Sequence, residues 1–200
     1  MEHRVIDGTV VLVCHETGIS TGELLRRAAA AATDTDATTL DVEHRCVRCG
    51  STDHGRPVVF GTSGQPLGCS VSASRASGIT VTAASTRGQV GIDVESIEAI
   101  ARHPVDDSLL HPRESMLLAS LDPVERDRAR ALLWTCKEAV TKSLGVGLNL
   151  DLRQLEIALD AQAAQAQLVA WPAALERAST PTLRTFTLDD DVVGAIALWS

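Results

Sequence analysis

Three carboxylates and two lysines carry most of the chemical promise of this chain. Asp93 and Glu95 alternate with Ile92 and Val94 in the segment GIDVE. On a strand, residues i and i+2 share a face, so both carboxylates emerge together while the aliphatic chains enter the core. Two carboxylates that close repel each other unless a proton or a cation intervenes. Oxygen-only donors suit a hard cation such as Mg²⁺, which takes one or two carboxylates and fills its shell with water and phosphate oxygens. The third carboxylate, Glu138, lies in WTCKEAVTKSLGVGL together with Lys137 and Lys142. Those are the only lysines among 200 residues, against sixteen arginines. Lysine is a compact point charge on a flexible stem, able to touch one phosphate oxygen and to shift its pKa. Taken singly, each feature has a plain explanation: a solvated strand face, a surface i,i+4 ion pair, two survivors of arginine-rich coding. Taken together, they could hold a hard cation and an anionic small ligand beside it.

These residues need a strand and a helix to hold them. Residues 90 to 95 read as the strand, and a long helix is predicted from about 124 to 144. Steps of 100° put Leu132, Leu133, Cys136, Ala139, Val140 and Leu144 on one apolar arc. Glu138 and Lys142 fall together on the opposite side, with Trp134 one turn before Glu138. Lys137 sits at the edge of the arc, where its stem can lie on the core while its head reaches outward. Gly145 is a natural C′ residue, and Gly147 would keep the following loop close-fitting.

Around that unit, residues 4 to 14 read as a strand broken at Asp7-Gly8, followed by an alanine-rich helix at about 20 to 32 capped by Ser20 or Thr21. Strands are expected at 38 to 47, 68 to 74 and 79 to 84, and helices from about 98, including HPRESMLLASL. LRQLEIAL and VVGAIALW return to strand near the end. The fold class is α+β, and strands and helices in both halves suggest two α+β subdomains, residues 1–95 and 96–200.

Two hundred residues with 44% hydrophobic content suffice for one substantial core or two small ones. A net charge of −8 argues against a nucleic-acid surface, but leaves room for an anionic small ligand. The first residues carry mixed charge and no long apolar stretch, and no run approaches the ~20 residues of a spanning helix. A cytoplasmic monomer without nucleic-acid or membrane partners is the expectation.

Five cysteines make an odd count, poorly suited to a disulfide framework. Cys46 and Cys49 form a CxxC flanked by His44 and His54, four N/S donors that could in principle close around zinc. A single CxxC at tight spacing reads first as a plain turn with reduced thiols. No βαβ pattern surrounds it, which disfavours a redox role. A zinc or redox protein would also leave the lysines and the three carboxylates unexplained.

The two motifs together resemble those of the 4′-phosphopantetheinyl transferase family in its larger single-chain form, G-I-D-x-E followed some forty residues later by W-x-x-K-E-A-x-x-K-x-x-G-x-G-L. They stand here as Gly91 to Glu95 and Trp134 to Leu148, and the likeness extends upstream to HGRP at 54 to 57 and the serine-rich strand at 70 to 74. The resemblance implies the two-subdomain fold of that family arranged about a pseudo-twofold axis. It implies a holo-[acyl-carrier-protein] synthase type of activity, in which 4′-phosphopantetheine passes from coenzyme A to a serine of an acyl or peptidyl carrier protein with Mg²⁺, releasing 3′,5′-ADP. By position it makes Asp93, Glu95 and Glu138 the metal ligands, Glu138 the base, and Lys142 the catalytic lysine that also meets the coenzyme phosphates. Arg56, Ser72, Arg75 and Lys137 would join Lys142 in binding coenzyme A.

Two departures stand out. The family's serine-rich strand ordinarily reads S-H-S, whereas this chain reads Ser72-Ala73-Ser74. Arg75 could supply the missing charge, but neighbouring strand residues point to opposite faces, which counts against it. The N-terminal region is also short, with Arg26 and Arg27 standing where a longer cationic helix would help hold the 3′-phosphate. An active transferase with altered coenzyme recognition is therefore expected. The alternative is a catalytically degenerate relative that binds a carrier protein or nucleotide. Carrier domains are acidic, so a basic patch around Arg113, Arg126, Arg128 and Arg130 is the expected docking surface.

Overall fold

The structure is a computed structural model that describes residues 1–15, 18–46, 49–145, 150–160, 165–173 and 179–200. The Asp7-Gly8 break is a turn: β1 (Glu2–Ile6) and β2 (Thr9–Cys14) pair antiparallel across it, with φ of 48° and 76° at the two turn residues. Helix α1 (Thr21–Thr33) follows, and its cap is Ser20, whose hydroxyl accepts from Glu23 N. Next come β3 (Asp41–Arg45), β4 (Arg56–Phe60), β5 (Pro66–Ala76) and β6 (Ile79–Ser85). The strand expected from Thr38 begins later, because Asp36 caps a short 3₁₀ turn over Ala37–Thr39; its other end, Val47, lies outside the described residues. These six strands form one sheet in the order β1-β2-β6-β5-β4-β3, antiparallel throughout.

Strand β7 (Gln89–Ser96) leaves that sheet and pairs with β11 (Val192–Trp199), which pairs in turn with β10 (Thr182–Thr187). Between β7 and β10 lie α2 (Ile97–Arg102), α3 (Asp106–Leu109), α4 (Pro112–Ser120), α5 (Pro123–Leu144) and a two-stranded sheet of β8 (Glu156–Leu159) and β9 (Ala166–Ala170). By strand pairing, residues 89–96 go with β11 and β10 rather than with the six-stranded sheet. The α+β class holds, with helices and antiparallel sheets in both halves.

Alternation along the strands builds four layers. Val10 and Leu12 of β2 pack with Leu25, Ala28 and Ala29 of α1. Their neighbours Val11 and Val13 face the other way, against Ile92 and Val94 of β7 and Ile196 of β11. On the outer face of the three-stranded sheet, Ala195, Ala197 and Trp199 meet Leu133, Cys136 and Val140 of α5. The order is helix, six-stranded sheet, three-stranded sheet, helix. Among the described residues no helix is long and apolar enough to cross a membrane.

The two sheets meet where β5 runs beside β7. β7 is the edge of its own sheet, and its outward amides need partners. Val90 N donates to Ser70 Oγ at 2.9 Å and Ile92 N donates to Ser72 Oγ at 3.1 Å. Serines on one face of β5 thus stand in for a backbone ladder.

Candidate active site

Gly91 is the residue that lets the site form. A Cβ built there would lie 1.9 Å from the carbonyl oxygen of Ala139 and 2.5 Å from Ser143 N. Helix α5 therefore rests directly on the backbone of β7, across the face that Gly91, Asp93 and Glu95 share. Pro123 opens this helix behind the Asp122 cap and Gly145 closes it at φ 70°, so its register over β7 is set at both ends. Glu138 and Lys142 are thereby brought over Asp93, as their i,i+4 spacing predicts.

Asp93 is 3% exposed. Its Oδ1 accepts from Lys142 Nζ at 2.6 Å and from Ser74 Oγ at 2.7 Å. Lys142 also reaches the carbonyls of Ile92 and Ala73, at 3.3 and 3.4 Å. Strand β5 thus supplies Ser74, β7 the acids, and α5 the lysine and the third carboxylate. Asp93 Oδ2 and Glu138 Oε1 are buried and have no hydrogen-bond partner among the described residues. Buried polar atoms are nearly always satisfied, so two unpartnered carboxylate oxygens mark a place built for something more.

The electrostatics agree. Burial lifts Asp93, with Lys142 opposing. Burial, and then the charge of Asp93, push Glu138 up to about 7. Partial burial, and again Asp93, raise Glu95. Each acid is thus held above its usual range by loss of water, and Glu95 and Glu138 also by the charge of Asp93. A hard divalent cation relieves both effects, and the all-oxygen donor set fits Mg²⁺. The oxygens of the three acids are not gathered within 4.8 Å of one another. Asp93 and Glu138 carry the unpartnered oxygens, and Glu95 lies at the more open edge.

The remaining expected site residues are distributed differently. Lys137 does not reach outward; it is fully buried, and its ammonium donates to Glu114 Oε2 and the Leu109 carbonyl, each at 2.6 Å, and to the Leu152 carbonyl at 3.0 Å. Three N–H groups meet three acceptors, so this lysine is structural rather than a coenzyme ligand. The outward reading assumed that α5 has a solvent side, whereas sheet, α2, α4 and β8 enclose it. Ser72 is buried and spent on Ile92 N. Arg56 donates to Ser70 Oγ at 2.5 Å and lines a cleft of about 430 Å³ with Ser85, Thr86 and Gln89, its stem beside the Gly145 cap. Arg75 and Ala73, two residues apart, lie on the same face of β5, contrary to the expectation that alternation would part them. Ala73 packs with the α1 cluster, and Arg75 donates to Thr80 Oγ1 and to Thr21 Oγ1 at the start of α1. Gly147 and the rest of the GVGL segment beyond Gly145 lie outside the described residues.

A family model for the 4′-phosphopantetheinyl transferase superfamily matches residues 89–195, from the first residue of β7 to the middle of β11. The chain belongs to that superfamily. Among curated proteins it is similar to the 4′-phosphopantetheinyl transferase HetI of Nostoc sp. (strain PCC 7120), at 29% identity over 165 residues. The alignment covers 80% of this chain and 63% of the relative, so this superfamily member spans less than two thirds of the length of that protein. Similar solved structures include the holo-[acyl-carrier-protein] synthase of Neisseria meningitidis, at 22% identity and a TM-score of 0.45, covering 55% of this chain and 95% of that one. The Helicobacter pylori synthase in complex with coenzyme A is 20% identical with a TM-score of 0.43, covering 56% and 99%.

Two residues of this transferase-family chain were not singled out as working parts by sequence reasoning. Ser74 had been noted as part of the serine-rich strand, but only its contact with Asp93 shows that it orients the acid. Glu114, inside HPRESMLLASL, gave no signal beyond its place at N3 of a helix. It is 2% exposed and holds Lys137, His111 N and Ile157 N together.

Proposed function

We propose that this chain transfers 4′-phosphopantetheine from coenzyme A to a serine hydroxyl of an acyl or peptidyl carrier protein, with Mg²⁺, releasing 3′,5′-ADP. The observation that carries this reading is the pair of unpartnered buried oxygens, Asp93 Oδ2 and Glu138 Oε1, beside an ammonium at Lys142. A module that only bound carrier protein or nucleotide would gain nothing from burying such a set, since each unmatched oxygen costs stability.

Asp93, Glu95 and Glu138 would hold the Mg²⁺, which when bound supplies charge neutralisation for the coenzyme diphosphate. Glu138 accepts the proton of the incoming serine hydroxyl. The serine oxygen forms its bond to the β-phosphorus as the bond from that phosphorus to the bridging oxygen breaks, and 3′,5′-ADP leaves with the electron pair. Lys142 neutralises charge on the phosphates from the β7 side. Ser74 keeps Asp93 aimed while Lys142 shifts between acid and phosphate.

Arg75 beside the N-terminus of α1, and Arg56 in its cleft, are the cations for the remaining phosphates. The α1 N-terminus adds the positive end of its dipole. Residues 1–88 and 89–200 then act as two subdomains with the site between them, and a cytoplasmic monomer is the working form.

Release of 3′,5′-ADP from coenzyme A, apo carrier protein and Mg²⁺ tests this directly. Release that stops with EDTA and in Asp93→Asn is expected. Release indifferent to EDTA would contradict the metal assignment, and none across several carriers would favour the binding module.

A further inference from the structure

Outside the carboxylate site, the end of the β3–β4 hairpin gathers a second set of donors. Cys46 Sγ, Cys49 Sγ and a ring nitrogen of His54 all lie within 4.8 Å of one another. Cys49 Sγ and His54 Nε2 are 3.4 Å apart. With Zn–S near 2.3 Å and Zn–N near 2.05 Å, one edge of a tetrahedron spans about 3.6 Å, so this pair already has the separation of two ligands on one zinc ion. The backbone is folded to suit. Cys46 N donates to the Ser51 carbonyl at 3.0 Å, and Gly50 N donates to the Cys46 carbonyl at 2.9 Å, which holds Cys46 against residues 50 and 51. Gly55, at φ 105°, crosses so close to Arg45 that a Cβ there would lie 2.4 Å from its carbonyl oxygen, and this keeps His54 near the two cysteines.

We propose that Cys46, Cys49 and His54 form a thiolate-rich structural metal site, with Zn²⁺ as the fitting ion and the fourth position open to water. Two thiolates and an imidazole suit zinc and exclude the hard cation of the carboxylate site. Two thiolate charges balance the ion, so the site is neutral when filled. His44, the fourth donor suggested by sequence, does not join, because it is held on β3 opposite Pro57. Metal here would tie the hairpin end together just before Arg56, the first residue of β4. The proposal does not rest on the transferase reading.

Untagged, reduced full-length protein titrated with Co²⁺ gives the test. One thiolate-bound cobalt per chain is expected, read by thiolate-to-metal charge-transfer absorption and tetrahedral visible bands, and displaced by Zn²⁺. Both signals should be lost in the Cys46→Ser/Cys49→Ser variant. They should be weakened or altered in His54→Ala, a change at an exposed side chain that leaves the fold intact. Zinc should slow iodoacetamide alkylation of Cys46 and Cys49 by about tenfold or more. Cys69, whose thiol burial pushes up to about 11, serves as an internal reference whose rate should not change. Absence of the charge-transfer band in folded wild-type protein, its survival in the double serine variant, or alkylation rates indifferent to zinc would each overturn the proposal.

Discussion

Glu138 couples folding to protonation. Its pKa rises from an ordinary 4.5 to about 7 in the folded chain. Between those values the native state binds more protons than the unfolded one. Stability from this group is therefore fully present below pH 4.5 and is lost as pH rises through 7, by on the order of 2–3 kcal/mol in metal-free protein. Urea unfolding in EDTA across pH 5 to 8 should show that fall, and Glu138→Gln should remove its share of it. Mg²⁺ should stabilise the wild type more at pH 8 than at pH 6, because its ligand must first lose a proton; an equal shift at both would place the ion elsewhere. Lys137 tests the same physics in a closed setting. Lys137→Met leaves Glu114 buried without its cation and should cost about 3–5 kcal/mol in chemical denaturation, with Lys137→Met/Glu114→Leu recovering much of it. A loss of under 1 kcal/mol in the single variant would show that the pair is not closed. At this scale the sequence was informative where a residue's role follows from local geometry. Alternation on β7 and i,i+4 spacing on α5 anticipated that Glu138 and Lys142 stand over Asp93. It misled for Lys137, because whether a helix has a wet side depends on distant elements such as α4 and β8.

The elements matter through one close approach. Gly91 lets α5 lie on β7 with no side chain between, and that contact sets how far Glu138 and Lys142 stand from Asp93. Gly91→Ala forces a methyl group into the Ala139 carbonyl. It should destabilise the fold by about 1–3 kcal/mol and reduce transfer by more than stability alone explains, because the helix lifts and both site residues move with it. Thermal melts alongside transfer rates at saturating substrate would check this; normal transfer would mean that the spacing is slack. The helices α1 and α5 were legible from their caps, Ser20 and Gly145, and from apolar periodicity. The short strands β4, β9 and β10 were not, since five or six residues carry little pattern and β4 begins Arg56-Pro57. The face shared by Ala73 and Arg75 was misjudged, although β5 obeys simple alternation: serines 70, 72 and 74 turn to β7, and residues 73 and 75 to the side of α1.

For the whole molecule, the four layers divide the work. The outer helix α1 and the six-stranded sheet carry Arg56, Arg75 and Ser74, while β7 and α5 carry the acids and Lys142. The run of strand and helix patterns foretold an α+β protein but not that β7 would change sheets, because that choice is made by its pairing with β11 at the far end of the chain. The expected basic surface is largely spent internally. Arg130 is buried against Asp106 and Asp127, and Arg126 donates to the carbonyls of Leu118 and Leu121. Arg113 pairs with Glu156 but stays exposed, so it and Arg128 are what remains for an acidic carrier. The central claim is transfer at a metal-linked base, and intact mass spectrometry of an apo carrier protein addresses it most directly. Incubated with this chain, coenzyme A and Mg²⁺, the carrier should gain the mass of one phosphopantetheine, and should gain nothing with EDTA or with folded Glu138→Gln. An unmodified carrier in the presence of folded wild-type protein, or normal modification by Glu138→Gln, would contradict it.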